Sequence, residues 1–238
     1  MPERRHANAR WRIALATIAG LLPIAPLASA DDLPPVTARP PAWKLHKMDD
    51  DPAVGFSIYR NDLPSSDFDA YRLEALIDVP PAVVAAAALR SVAGPPDDGL
   101  DMERSLIRRD ENEIVTYSLI RIPIVADRDI VTRVRRSHDE ASGAYRIAWE
   151  AIDSEGPPPK RGVERIQKSD GGWTFAPAGP GRTLAIYESH TEVSGPMPAW
   201  LVNRMMTNTI ETQIERLREK VAAEVAVHGN GSGAAESP

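Results

Sequence analysis

The side chains best suited to proton transfer near neutral pH are five histidines, His6, His46, His138, His190 and His228. No two of them stand at the His-x-x-x-His interval that sets two imidazoles on one helix face for a metal. His190 falls late in a predicted strand and reads as surface or satisfied structure rather than as a general base. The chain has neither a Gly-x-Ser-x-Gly elbow nor a glycine loop of the phosphate-cradling type. It also has no cysteine, which removes disulfides, thiolate zinc sites, iron-sulfur clusters, thiol nucleophiles and a lipid-modified N-terminal cysteine. The adjacent charges Arg128 and Asp129 invite a catalytic reading, but neighbours on a strand point to opposite faces and cannot act as a mutual pair. Arg128 is expected to serve as a structural ion-pair or hydrogen-bond donor. On this reading the chain has no catalytic constellation and no metal site, and it calls for no cofactor.

The elements that would position such residues belong to one domain with attached ends. The chain has 238 residues, of which 42% are hydrophobic and 26% charged, which is too apolar for general disorder and typical of a globular domain. A formal net charge of −6 gives no basic footprint for nucleic acid. Residues 1–30 differ from the rest: Arg4, Arg5, Arg10 and Arg12 precede an apolar run that is broken by Pro23 and Pro26 and closes on Ala28-Ser29-Ala30. This is the pattern of a secretory signal cut after Ala30, and the run is short for a membrane span. Its loss removes four arginines and one glutamate, leaving a still more acidic chain. The expected location is therefore the bacterial periplasm or the exterior. Residues 31–41 are Pro-rich and read as a linker, 42–227 as the domain, and 228–238, with three glycines, as a disordered tail.

Within the domain, short β-rich runs at 54–59, 71–79, 101–108, 114–122, 128–136, 144–151, 162–167, 173–176 and 182–191 predict a largely antiparallel sheet. Turn-rich clusters separate them, among them Gly94 to Gly99, Ser154 to Pro159 and Ser169 to Gly172. Two segments break the rhythm. Residues 80–91 have helix propensity, with Pro81 suited to a first turn, and 198–227 predict a helix of roughly 45 Å at 1.5 Å per residue. On the longer helix Val202, Met206, Ile210, Ile214, Leu217 and Val221 recur at three- or four-residue spacing and must lie on an apolar surface.

Three motifs, in order, point to a family. Ile122-Pro123-Ile124-Val125-Ala126-Asp127-Arg128-Asp129-Ile130-Val131 resembles the proline turn and Arg-Asp strand start of the StAR-related lipid-transfer (START) family. Gly172-Trp173-Thr174-Phe175-Ala176-Pro177 resembles its Gly-Trp-x-x-x-Pro hairpin. Gly195-Pro196-Met197-Pro198-Ala199-Trp200-Leu201-Val202-Asn203 resembles the opening of its C-terminal helix, and Trp43 with Gly55 to Arg60 resembles its first two strands. The likeness covers about 42–227. It implies an α+β helix-grip fold (START/Bet v 1-like), a curved antiparallel sheet round a hydrophobic cavity closed by the long C-terminal helix. It also implies a hydrophobic lipid ligand and transient contact with membranes, and it leaves protein partners unknown.

Strand alternation, oriented as in the family, assigns the walls. Ile130, Thr132 and Val134 are expected to point inward, as are Tyr117, Leu119 and, at the strand end, Arg121. From the helix side the lipid contacts are expected from Met197, Leu201, Met205, Met206, Thr209 and Ile210. Trp173 is read as a wedge for its hairpin and Trp200 as a staple at the helix start. Several family members place an acid and a base at the positions aligned with Leu119 and Val134, and both are apolar here. This predicts a neutral lipid such as a sterol, hopanoid or carotenoid, with Tyr117, Thr132, Asn208 or Thr209 as its polar contact. The family's Asp-Pro-Gly-Gly before the helix is replaced by Glu192-Val193-Ser194-Gly195. The alternatives are a cyclase or aromatase-like enzyme of the wider superfamily and a lipid-sensing interaction module.

Overall fold

The computed structural model describes residues 43–51, 54–92, 101–122, 125–193, 195 and 197–231, with backbone alone for 227–231. The proposed signal, the linker and the tail beyond 231 lie outside the described residues. The chain runs β1 (Lys44–Asp49), β2 (Phe56–Asn61), β3 (Ala70–Ile77), α1 (Pro81–Val92), β4 (Asp101–Arg109), β5 (Glu113–Arg121), β6 (Asp127–Asp139) and β7 (Ala144–Ala151). It continues through β8 (Val163–Arg165), β9 (Lys168–Pro177), β10 (Thr183–Glu192) and α2 (Ala199–Gly231). One sheet holds all the strands in the order β1-β2-β3-β10-β9-β7-β6-β5-β4, antiparallel throughout, with β8 added in parallel to β6. This is the expected α+β arrangement of an antiparallel sheet with a long C-terminal helix.

The strands form where β-branched and aromatic residues alternate between a buried and a wet face, as in β10, whose burial alternates from Thr183 to Ser189. Two departures from the sequence reading have physical causes. Strand β1, expected only from the likeness at Trp43 and not from the β-rich runs, is exposed along its whole length and carries no alternation to betray it. The cluster Ser169 to Gly172, expected as a turn, lies inside β9. There β10 and β7 satisfy its backbone on both sides, and the missing side chain of Gly171 makes room for Trp149. The hairpin between β6 and β7 closes on Gly143, whose φ of +70° is a left-handed conformation that costs glycine least.

Both helices pack on one side of the sheet. Pro81 opens α1, and the Pro80 carbonyl accepts from the amides of Val83 and Val84. Val84, Ala85, Ala87 and Ala88 are buried, small enough to let α1 lie close to β7, β9 and α2. On α2 the stripe of Val202, Ile210, Ile214, Leu217 and Val221 is buried, joining Ile58, Leu73, Phe175 and Ala185 in the core. Pro198 stands just before the first helical residue, its carbonyl accepting from Leu201 and Val202. Trp200 does not staple the helix start: it is 66% exposed. Two residues before Val202 at about 100° per residue, it lies on the side away from the buried stripe. The helix runs on to Gly231, past the expected boundary at Val227. Among the described residues no helix is long and apolar enough to cross a membrane.

Polar ties fix α2 over the sheet. The Tyr71 hydroxyl donates to the Asn203 carbonyl at 3.0 Å, and the Asn203 side chain accepts from the Asp69 amide at 3.2 Å. Further along, Arg218 donates to the carbonyls of Val54 (2.5 Å) and Gly55 (3.1 Å), and Arg90 of α1 pairs with the buried Glu224.

Candidate functional site

Between the sheet and α2 lies a cavity of about 660 Å³, walled by α1, the strands β4 to β7, β9, β10 and the first two-thirds of α2. Its volume suits a single small-molecule or lipid ligand. Strand pairing decides which side chains reach it, because residues directly opposite one another share a face. Ile130, Thr132 and Val134 of β6 line the cavity, and their partners on β5 are Ser118, Thr116 and Ile114. The inward set of β5 is therefore Thr116, Ser118 and Ile120, one residue out of phase with the expected set.

Tyr117 and Leu119 face away from the cavity, which corrects their expected role. Tyr117 donates its hydroxyl to Asp129 at 3.2 Å and carries the Lys160 ammonium over its ring at 5.4 Å. Met197, just before α2, and Met205, Met206 and Thr209 of α2 line the cavity. Ile210 is instead fully buried in the core among Ile58, Leu73 and Ile214, and Leu201, half-buried, is not part of the cavity wall. Of the polar candidates, Asn208 is exposed, and the Thr209 hydroxyl donates to the Met205 carbonyl at 3.0 Å within its own helix. Arg121 does reach the wall.

Sequence reasoning missed an aromatic part of the wall. Trp149, Trp173 and Tyr187 come from three adjacent strands, with Tyr187 in contact with Trp149 at 5.3 Å and with Trp173 at 4.9 Å between ring centroids. The register explains the grouping: Trp173 is opposite Tyr187, and Trp149 is opposite Gly171. A Cβ on Gly171 would stand 2.4 Å from Trp149 Cζ2 and 2.3 Å from the Glu188 carbonyl oxygen. The glycine thus lets the indole lie against the sheet. Trp173 is more than a hairpin wedge, since it also stacks on Phe175 at 5.5 Å.

Arg128 and Asp129 part to opposite faces, as adjacency on a strand requires. Asp129, 1% exposed, accepts from Arg165 Nε (3.0 Å) and Nη2 (2.8 Å) on the outer side, and the Ile166 amide donates to its carbonyl at 2.8 Å. This joins β8 to β6. Arg128 turns into the cavity wall, also 1% exposed, with one guanidinium nitrogen donating to the Ala126 carbonyl. Arg104 of β4 joins it on the wall, donating to Ser118 Oγ (3.3 Å) and to the carbonyls of Ser91 (3.3 Å) and Val92 (3.4 Å) at the end of α1. Neither arginine was expected in the cavity. Arg128 shares the strand face of Ile130, Thr132 and Val134, a signal that alternation along β6 already offered, whereas Arg104 is signalled by its pairing with the inward Ser118. His190 is held at the outer face by Ser66 Oγ at 3.3 Å and lies 3.8 Å from Asp170. Among the described residues no cluster of histidines and carboxylates could hold a metal.

Residues 107–224 match the model of the START domain. An uncharacterised protein of Pseudomonas aeruginosa is 27% identical over 179 residues, covering 74% of this chain and 85% of its own. Among solved structures, a STAR-related lipid transfer protein from Xanthomonas axonopodis superposes with a TM-score of 0.63 at 23% identity, over 76% of this chain and 98% of that one. Human StAR-related lipid transfer protein 5 superposes at 0.59 with 19% identity, over 78% and 89% of the two chains. At these identities the superpositions establish a shared fold.

Proposed function

Because this chain belongs to the START domain family, we propose that it is a carrier enclosing one hydrophobic lipid between its sheet and α2. The observation that supports this reading best is the 660 Å³ cavity, walled by Ile130, Val134, Trp149, Trp173 and the methionines of α2. Apolar surface withdrawn from water contributes roughly 25 cal/mol per Å², enough to hold a lipid body without any ionic contact. The expectation of a neutral sterol, hopanoid or carotenoid loses its basis, since Leu119 lies outside the cavity and the wall carries buried arginine. Carriage within the periplasm or outside the cell, after cleavage near Ala30, is the location proposed from the sequence. Docking on membranes is supported by Trp200, an exposed indole three residues from the cavity-lining Met197, since indoles favour the interface between lipid and water.

Native mass spectrometry of the full chain isolated from its own cells, followed by lipid extraction, tests this reading. One stoichiometric lipid per protein is expected. A protein that stays empty after incubation with total membrane lipid would overturn it and favour the enzymatic alternative, a cyclase or aromatase-like activity on a small aromatic substrate. Fractionation of cells locates the protein, expected in the periplasm or medium, and its intact mass reads the mature N-terminus, expected at Asp31.

A further inference from the structure

From the charges on the cavity wall we infer that the ligand carries an anionic oxygen head group, a carboxylate or a phosphate ester, received by Arg128 with Arg104 beside it. The inference rests on the carrier reading and names the head group of its cargo. The chain as a whole is acidic, with 34 Asp and Glu against 28 Lys and Arg. The cavity wall reverses that balance. Among the described residues its lining includes Arg104, Arg121, Arg128, Arg216 and Lys220 and one carboxylate, Asp101. Arg121 is bonded to Asp101 at 3.2 Å and also to Glu103, and Arg216 and Lys220 have partners of their own, so Arg104 and Arg128 carry the inference.

Arg128 is the most informative of them. It is almost wholly buried, its Nε has no hydrogen-bond partner, and no carboxylate among the described residues lies within ion-pairing distance. Glu164 stands across from it on β8 without forming a pair. A buried guanidinium is normally matched by an anion, and its planar fork suits the two oxygens of a carboxylate or phosphate. Among the described residues the contacts of Arg104 are all neutral: a hydroxyl, the thioether of Met102 at 3.7 Å and two carbonyls at the end of α1. The register sets the two arginines on the strands flanking β5, opposite Ser118 and Ile120, on one wall. Six residues further along β6, ~20 Å at about 3.3 Å per residue, Val134 faces Trp149. A head at Arg128 therefore leaves an apolar path long enough for an acyl chain to reach the aromatic wall.

The test compares ligands that share an oleoyl chain and differ in head group. The full-length protein is loaded with the uncharged dye N-phenyl-1-naphthylamine and titrated with oleate, methyl oleate and 1-oleoyl-lysophosphatidate, each below its aggregation concentration. Oleate or lysophosphatidate is expected to displace the dye at least tenfold more tightly than methyl oleate; whichever anion is stronger distinguishes carboxylate from phosphate. In Arg128→Gln and in Arg104→Gln that ratio is expected to fall toward one. Equal affinity of acid and ester in the unaltered protein overturns the inference and leaves the carrier reading standing, as does a preference that survives in both variants. Absence of binding by dye and by every lipid overturns the carrier reading itself. Should Arg128→Gln fail to fold, the ratio in the unaltered protein and in Arg104→Gln still decides.

Discussion

Asp129 is buried among donors: two nitrogens of Arg165 and the hydroxyl of Tyr117 all point at its carboxylate. Removing one partner of a buried pair leaves the other charge without compensation, so Asp129→Ala is expected to cost about 3–5 kcal/mol. Urea denaturation measures it, and a loss under about 1 kcal/mol would show that Arg165 finds water or another acceptor. Gly171 makes a different kind of demand. Since its Cβ would collide with Trp149 and with the backbone of β10, Gly171→Ala must push the indole into the cavity, lowering dye affinity and shifting tryptophan emission. Unchanged emission and affinity would mean that the strand absorbs the methyl group. The residue scale is also where sequence reading slipped by one position. In β5 both alternating sets, Thr116-Ser118-Ile120 and Tyr117-Leu119-Arg121, mix polar with apolar residues. Alternation cannot choose between them, and only pairing with Thr132 and Ile130 does. In β6 the outward arginines Arg133 and Arg135 made the phase plain.

At the scale of elements, the outer face of β4 to β7 is held by an ion network. Arg108 bonds Glu155 at 3.0 Å and also Glu113, Arg133 bonds Glu150 at 3.2 Å and Glu155 at 3.1 Å, and Arg135 bonds Glu113 at 2.9 Å. Hydrogen bonds from Arg108 and then Arg133 hold the Glu155 carboxyl below its usual range. Burial raises Glu113, yet the bonds from Arg108 and Arg135 outweigh it and leave it lowered as well. Groups whose folded pKa is depressed contribute stability that is fully present above the unfolded value, 4.5 for both, and lost as pH falls through the folded one. Asp69 works the other way, because burial raises its carboxyl and protonation then favours the fold. The urea midpoint is therefore expected to drop below about pH 4.5, and Glu155→Gln to flatten that drop; parallel curves for the two proteins would remove the network as its cause. The elements themselves were largely legible, since turn clusters and β-branched runs bounded most strands within a few residues. What alternation could not show was β1, which has no buried face and was expected only from the likeness at Trp43, and the start of β9, where glycines serve packing rather than turning. Helix α2 was legible as a stripe, but the exposure of Trp200 follows from its phase, and Trp200→Ala is expected to slow lipid transfer between vesicles several-fold without moving the Tm. A Tm that fell with the transfer rate would restore a packing role for the indole.

For the whole molecule, the ordered motifs carried the family resemblance, because each marks a place where the sheet turns or the helix begins. The contents of the cavity were less legible: they depend on register between strands distant in sequence, such as β10 between β3 and β9. A cavity of this size leaves Trp149, Trp173, Val134 and Met206 with fewer packing partners than a filled core would supply. Its occupant should then be felt globally. A ligand that binds only the folded chain stabilises it by RT ln(1 + [L]/Kd), about 2.7 kcal/mol at a hundredfold excess over Kd. For a domain of this size each kcal/mol moves the Tm by ~2–4 °C, so a saturating lipid is expected to raise it by ~5–10 °C. Thermal scans of delipidated protein against fractionated membrane lipids read this without knowledge of the cargo. Because the effect passes through the folding equilibrium, it discriminates a lipid seated between sheet and helix from one adsorbed at Trp200, which would bind the unfolded chain as well. A scan in which no fraction raises the Tm by more than a degree would leave the cavity without a lipid and the carrier reading without its support.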